Sequence, residues 1–144
     1  MITSDILTTP AIHATNRRLR ACGVAGTLLG TGTLWLAGHA LGVTFEVASH
    51  HGGTPQTFTP AFLLGFTLQI ALAGWVTLAI LEHYTRHAIR IWTALGVTVL
   101  ALSFVPIAVV GASGGTKAVL SLIHLTVGGV LLAAMRRSAA RPDQ

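Results

Sequence analysis

A few strongly polar side chains interrupt a very apolar sequence, and the histidines and the glutamate among them suit acid–base chemistry. They are His39, Gln69, Ser103 and His124, with Glu46 shortly after His39. An imidazole titrates near neutral pH, and a carboxylate beside imidazoles can act as a general acid or base. We interpret Glu46, His124 and His39 as candidate catalytic residues. Side chains that would bind and orient a ligand are Gln69, Ser103, Trp35 and Trp75.

The composition places these residues in a membrane. The 144 residues are 52% hydrophobic and only 9% charged, with a mean hydropathy of +0.71. Soluble domains carry about 25% charged residues, so this chain has too few charges to cover a water-exposed surface. The length allows one domain, 1–144. The net charge of +5 lies in arginine clusters between apolar runs, which is typical of membrane topology signals and not of a nucleic-acid-binding surface.

Four apolar runs predict four membrane-spanning helices. Each run is close to the roughly 20 residues that a helix needs to cross the hydrocarbon core. Period-2 alternation, which would indicate strands, is absent. The predicted helices are 21–42, 60–82, 91–111 and 118–135. The remaining segments are an N-terminal segment 1–20, an outer loop 43–59, an inner loop 83–90, an outer loop 112–117 and a tail 136–144.

The distribution of basic residues predicts the orientation of these helices. With both termini cytoplasmic, eight of the nine Lys and Arg residues lie inside and only Lys117 lies outside. The positive-inside rule favours this arrangement. We therefore predict an all-α integral membrane four-helix bundle that is multi-pass in the cell (inner) membrane, with both termini cytoplasmic. Glu82 and the basic residues after it are expected to form a solvated inner rim of paired charges.

This topology places one strongly polar side chain of each helix in the outer half of the bundle. At about 1.5 Å rise per residue, His39 lies roughly 5 Å from the outer surface and the other three lie roughly 10 to 13 Å down. Their similar depth predicts a polar site there, and nothing comparable is expected in the inner half. If helix 1 continues past Gly42, then His39, Glu46 and His50 share one face.

Two classes of function follow from this pattern and both stay open. In the first, the site performs cofactor-free acid–base chemistry (isomerisation, cyclisation or epoxide opening) on an apolar small molecule. In the second, the chain is a non-catalytic accessory, carrier or assembly protein whose histidines hydrogen-bond across the bundle. A divalent metal held by His39, His50, His124 and Glu46 is a further alternative, but no short ligand motif supports it. No metal site and no cofactor are therefore assigned.

Glycines on the first predicted helix indicate close helix packing. Gly26, Gly30, Gly38 and Gly42 are separated by multiples of four residues, so they form a ridge along which another backbone can approach. That backbone belongs either to helix 2 or 4 of the same chain or to a second copy, which makes a homo-oligomer a candidate assembly. The other expected partners are the lipid bilayer and an apolar small molecule.

Four phrases in helices 2 to 4 resemble a known family. They are Leu72-Ala73-Gly74-Trp75 through Leu81-Glu82, Arg90-Ile91-Trp92-Thr93, Leu102-Ser103-Phe104-Val105-Pro106 and Ile123-His124-Leu125-Thr126-Val127-Gly128. The chain resembles, over roughly residues 17 to 137, a family of small four-helix actinobacterial membrane proteins of unknown function. The resemblance implies a compact four-span fold and no particular activity. It directs attention to Gly74, Trp75, Glu82, Trp92, Pro106 and His124.

Overall fold

A computed structural model of the protein describes residues 9–48 and 56–139, with side chains described from residue 16 onward. Within these residues lie four long α-helices: α1 (Thr9–Ala40), α2 (Pro60–Tyr84), α3 (Ala88–Val109) and α4 (Gly114–Ala139). Each contains a stretch long and apolar enough to cross a membrane. Even α3, with 22 residues, extends about 33 Å, slightly more than the hydrocarbon core. The predicted all-α fold with four membrane-spanning helices is confirmed.

The first helix differs from its predicted range at both ends. It begins at Thr9, so part of the predicted N-terminal segment is helical. It ends two residues before Gly42, whose φ of +80° is a left-handed conformation that glycine adopts without steric cost. Because the helix does not continue past Gly42, the single helical face expected to carry His39 and Glu46 does not form. His50, the third residue of that face, lies outside the described residues.

The second helix begins at a capped N-terminus. The hydroxyl oxygen of Thr59 accepts a hydrogen bond from the Phe62 amide at 3.3 Å, which satisfies one of the free donors of the first turn. Pro60 occupies the start of the helix, where its missing N–H costs nothing. The helix of the structure begins at Pro60, the first residue of the predicted segment 60–82.

A small antiparallel sheet, which the sequence did not predict, covers one end of the bundle. Its strands, in spatial order, are β2 (Gln56–Thr57), β1 (Glu46–Ala48) and β3 (Gly111–Ala112). Val47 of β1 lies opposite Gln56 on one side and Ala112 on the other. Strands of two or three residues are too short to show the alternation that identifies a strand in a sequence. We call this end of the bundle the sheet end.

The glycine ridge of α1 packs against α4 of the same chain. A Cβ added at Gly23, Gly26 or Gly30 would lie 2.6, 3.3 or 2.7 Å from a side-chain atom of α4. Gly38 also faces α4, at 3.2 Å, whereas a Cβ at Gly42, beyond the helix, would meet nothing within 4 Å. The two helices thus approach more closely than larger residues would permit. The ridge is occupied within the chain, so it is not a free surface for a second copy.

The first and last helices are antiparallel, so both ends of the described chain lie at the same end of the bundle. Gly23 of α1 lies beside Ala134, and Gly38 lies beside Val119. The arginines of the described residues collect at this end, which we call the basic end: Arg17, Arg18, Arg20, Arg86, Arg90, Arg136 and Arg137. At the sheet end the described residues include a single Lys or Arg, Lys117.

The apolar core lies between all four helices. Its buried residues are Val24, Ala71, Leu78, Ala88, Trp92, Leu131 and Met135. The indole Nε1 of Trp92 donates a hydrogen bond to the Gly74 carbonyl oxygen at 2.8 Å, which joins α3 to α2. A buried indole that finds such an acceptor adds orientation to the packing.

Candidate functional site

At the sheet end, the indole of Trp35 contacts both His39 and the loop that follows α1. Trp35 and His39 are four residues apart on one helical face, and their rings stack with centroids 5.1 Å apart and planes at 6°. Trp35 also stacks on Phe45 at 5.9 Å and donates from Nε1 to the Phe58 carbonyl oxygen at 3.4 Å. The indole orients the imidazole of His39. Because His39 is exposed, the imidazole is also accessible.

Phe45 attaches the first loop to the bundle. Its ring is 1% exposed, although its φ of +54° is a left-handed conformation that costs an L side chain about 1–2 kcal/mol. Burial of the ring against Trp35 and Gly38 offsets that cost. The Phe45 carbonyl oxygen also accepts a hydrogen bond from the Phe58 amide at 3.1 Å. These contacts set the place of Glu46, the next residue, which is exposed on β1.

His124 occupies a different environment, between α3 and α4. It is half-buried, and its Nδ1 lies 2.8 Å from the Leu120 carbonyl oxygen of its own helix. A carbonyl oxygen only accepts, so Nδ1 donates this hydrogen bond. The Phe104 ring lies 6.3 Å away at a tilt of 54°. Since Val119 lies at the level of Gly38, His124 is about 7.5 Å deeper than that level.

The remaining predicted site residues lie apart from one another. Ser103 donates to the Leu100 carbonyl oxygen of its own helix at 2.6 Å. Gln69 is exposed on the surface of α2. Trp75 lines a shallow apolar groove on α2 that also includes His83 and Tyr84, toward the basic end.

The structure therefore brings only part of the predicted site to one place. His39, Trp35 and Glu46 share the sheet end. No hydrogen bond among the described residues joins any two of His39, Glu46, Gln69, Ser103 and His124. Over the same residues, no group of three His, Cys, Asp or Glu side chains is close enough to hold a metal ion. His50, which the metal alternative requires, falls outside them.

The most polar contact of the interior lies at the basic end, where nothing comparable was expected. The Arg20 guanidinium is buried, with Nη2 2.6 Å from Oε1 of Glu82 on α2. Its Nε donates to Oγ of Ser138 on α4 at 3.1 Å, and that hydroxyl donates to the Met135 carbonyl oxygen at 2.8 Å. One side chain thus joins three helices. Glu82 forms this interhelical ion pair and not the solvated rim pair that the sequence predicted.

A periodic signal in the sequence could have revealed this cluster. Arg20 precedes the buried residues Val24 and Thr27 by four and seven positions, so it lies on the interior face of α1. Glu82 follows the buried Leu78 by four positions, so it lies on the same side of α2 as that core residue, with its side chain 36% exposed at the end of the bundle. Proximity in the sequence groups Arg20 with Arg17 and Arg18 as a topology signal, whereas its helical phase places it on the interior face.

Residues 12–141 match the family described as "Family of unknown function (DUF6069)". This match spans most of the chain, so the protein belongs to that family. The expected membership of a family of unknown function with a four-helix fold is thereby confirmed. No curated protein and no solved structure matches the chain.

Proposed function

We propose that this member of the family is a non-catalytic integral membrane protein, of the accessory, carrier or assembly class. The observation that carries the proposal is the use of the interior polar groups. Arg20, Glu82 and Ser138 join three helices, and the hydroxyl oxygens of Thr31 and Thr67 lie 3.3 Å apart between α1 and α2. Such contacts stabilise the packing of the helices against one another, which is a structural role.

The candidate catalytic side chains support the same proposal. Acid–base catalysis requires an acid and a base that reach one reacting atom, within about 3 Å of the proton that moves. His124 directs Nδ1 to its own backbone between α3 and α4, while His39 and Glu46 are exposed at the sheet end. A water-excluding cavity that joins these groups would be needed for chemistry on an apolar molecule.

The test compares His39→Ala, Glu46→Gln and His124→Ala with the wild type after purification in detergent. We expect each variant to remain folded and to retain the same co-purified molecules, as measured by thermal unfolding and by mass spectrometry of solvent extracts. Lys117→Gln, another change at the sheet end, is the matched control. A small molecule that co-purifies with wild type and control, but is lost from folded His39→Ala or Glu46→Gln protein, would overturn the proposal.

One observation favours the catalytic class as a second candidate. His39 presents an exposed imidazole that Trp35 holds by stacking, and Glu46 is exposed at the same end. In that candidate function Glu46 acts as general acid or base, His39 and His124 assist, and the substrate is an apolar small molecule that undergoes isomerisation, cyclisation or epoxide opening. The positions of Gln69, Ser103 and Trp75 do not support their assignment as substrate-binding residues.

The proposed orientation places the basic end in the cytoplasm and the sheet end outside, in the cell (inner) membrane. Seven arginines of the described residues lie at the basic end, and the positive-inside rule counts such short segments next to membrane-spanning helices. Both termini are then cytoplasmic.

A further inference from the structure

Centring α2 in a bilayer places Gln69 at a depth where its amide has no access to water. It is nine residues from the start of α2 at Pro60, or about 13 Å along the helix axis. The helix has 25 residues and extends about 37 Å, against roughly 30 Å for the hydrocarbon core. With the excess shared between both ends, Gln69 is about 10 Å inside the hydrocarbon, which is beyond the reach of its side chain to the headgroups.

The side chain also faces away from its own bundle. Thr67 and Ala71 are the buried residues on either side of it, and each is two positions away, or about 200° around the helix. Gln69 is exposed, and among the described residues its amide makes no hydrogen bond. The amide has two donors and an acceptor, and hydrocarbon satisfies none of them.

Other exposed polar residues of the membrane-spanning segments do not have this problem. Thr98 of α3 is exposed at a similar depth, but a threonine hydroxyl can donate to a carbonyl of the preceding turn. Thr93 does so, donating to the Ile89 carbonyl oxygen at 2.6 Å. Among the threonine and glutamine side chains exposed on the described parts of α2 and α3, the glutamine requires a partner from outside the chain.

We infer that the Gln69 face of α2 binds the same face of a second copy of this chain. Copies inserted with the same topology are related by a two-fold axis along the membrane normal, so Gln69 of one copy lies at the depth of Gln69 of the other. A primary amide is self-complementary, because each can donate to the oxygen of the other. A second copy therefore provides hydrogen-bond partners for the Gln69 amide, and no other ligand is required.

Small residues continue one row of the Gln69 face along α2, and the exposed large side chains of Phe66 and Leu72 flank this row three residues to either side of Gln69. The neighbours on the same face, four or eight residues away, are Ala61, Gly65 and Ala73, and all are exposed. A Cβ added at Gly65 would meet nothing within 4 Å. The glycine ridge of α1 cannot serve instead, because α4 covers it. This inference holds whether or not the protein is catalytic.

The experiment measures Förster transfer between full-length copies in phosphatidylcholine vesicles. Cys22 is the only cysteine and is exposed, so it takes the donor or the acceptor dye. We expect transfer that rises with the protein-to-lipid ratio and falls when unlabelled protein competes. Gln69→Leu should raise the apparent Kd about three- to twentyfold, the range that interhelical polar contacts produce in membranes.

Two further variants separate this interface from general effects. Thr98→Leu, a matched polar-to-apolar change on another face, should leave Kd unchanged. Gly65→Leu adds bulk beside Gln69 and should weaken association without altering the thermal unfolding of the monomer. Wild-type protein that stays monomeric at every protein-to-lipid ratio overturns the inference, and so does a Kd for Gln69→Leu equal to that of wild type. If lipid or a different protein is the natural contact of Gln69, the wild-type protein stays monomeric at every protein-to-lipid ratio.

Discussion

The two charges of the Arg20–Glu82 pair are unequally buried, and this makes the effect of removing each one predictable. The Arg20 side chain is 9% exposed and the Glu82 side chain is 36% exposed. Glu82→Gln leaves a buried guanidinium, which stays charged at any ordinary pH. Arg20→Met leaves a carboxylate that reaches water and keeps much of the aliphatic packing of the arginine. Glu82→Gln should therefore destabilise the bundle more than Arg20→Met.

The expected magnitudes follow from that difference in burial. Loss of one partner from a fully buried ion pair costs about 3–5 kcal/mol, whereas an exposed pair contributes about 0–1 kcal/mol. For Glu82→Gln, which leaves the buried partner, we expect a loss of about 2–3 kcal/mol. For Arg20→Met we expect about 1 kcal/mol. Ser138→Ala removes the acceptor for Nε of Arg20 and should cost about 1 kcal/mol.

The assay is reversible unfolding in mixed micelles, with denaturing detergent as the titrant and far-UV circular dichroism as the signal. The double variant completes a cycle from which the coupling energy of Arg20 and Glu82 is obtained. Arg17→Met removes an exposed arginine of the same helix and is the matched control. We expect it to change the free energy of unfolding by less than about 0.5 kcal/mol.

Either of two results would refute this reasoning. One is an Arg20→Met variant that loses as much free energy of unfolding as Glu82→Gln, or more. The burial of the charge that remains would then not determine the loss of stability. The other is a coupling energy near zero, which would mean that the 2.6 Å contact contributes nothing in the membrane environment.

Helix packing, hydrogen bonding and charge placement can each be tested in the same way. Gly30→Ala should cost about 1–3 kcal/mol, because the added Cβ would lie 2.7 Å from a methyl carbon of α4. Gly129→Ala, which enters open space, should be neutral or stabilise by up to about 1 kcal/mol; equal effects of the two changes would contradict the packing. Trp92→Phe loses the hydrogen bond to α2 and should cost about 1 kcal/mol in the same unfolding assay, and no loss would show that the bond adds nothing net. In a background without the native cysteine, Lys117→Cys should react with an impermeant maleimide on intact cells and Arg86→Cys only after permeabilisation. The reverse labelling would show the opposite orientation.

The four helices were predictable because membrane insertion depends on local properties. A run of about 20 apolar residues must form a helix to satisfy its own backbone in hydrocarbon, and no distant contact changes that. The start of α2 also depends on a local property, because a proline in the first turn lacks only an N–H that the helix does not need there. The sequence did not predict two details of short segments: α1 stops before Gly42, and β1 pairs both with β2, which is close in the sequence, and with β3, which is far from it.

The candidate site was harder to predict because depth is only one of three coordinates. His39, Gln69, Ser103 and His124 have similar predicted depths, yet rotation about each helix axis directs them to different surroundings. Gln69 turns outward, while His124 and Ser103 bond to their own backbones. Rotation depends on which faces of the helices pack together, and that is decided by the whole set of contacts.

Composition and residue order are enough to predict four helices long and apolar enough to span a membrane and the place where the basic residues collect. Only the packing of the helices shows that the α1 glycines contact α4, that Arg20 is a buried partner of Glu82 and that Gln69 lies on the outer surface of the bundle. Each of these depends on the rotation and neighbour of a helix. In a bilayer, where apolar burial does not separate inside from outside, the hydropathy of a helix carries little information about which of its faces is buried.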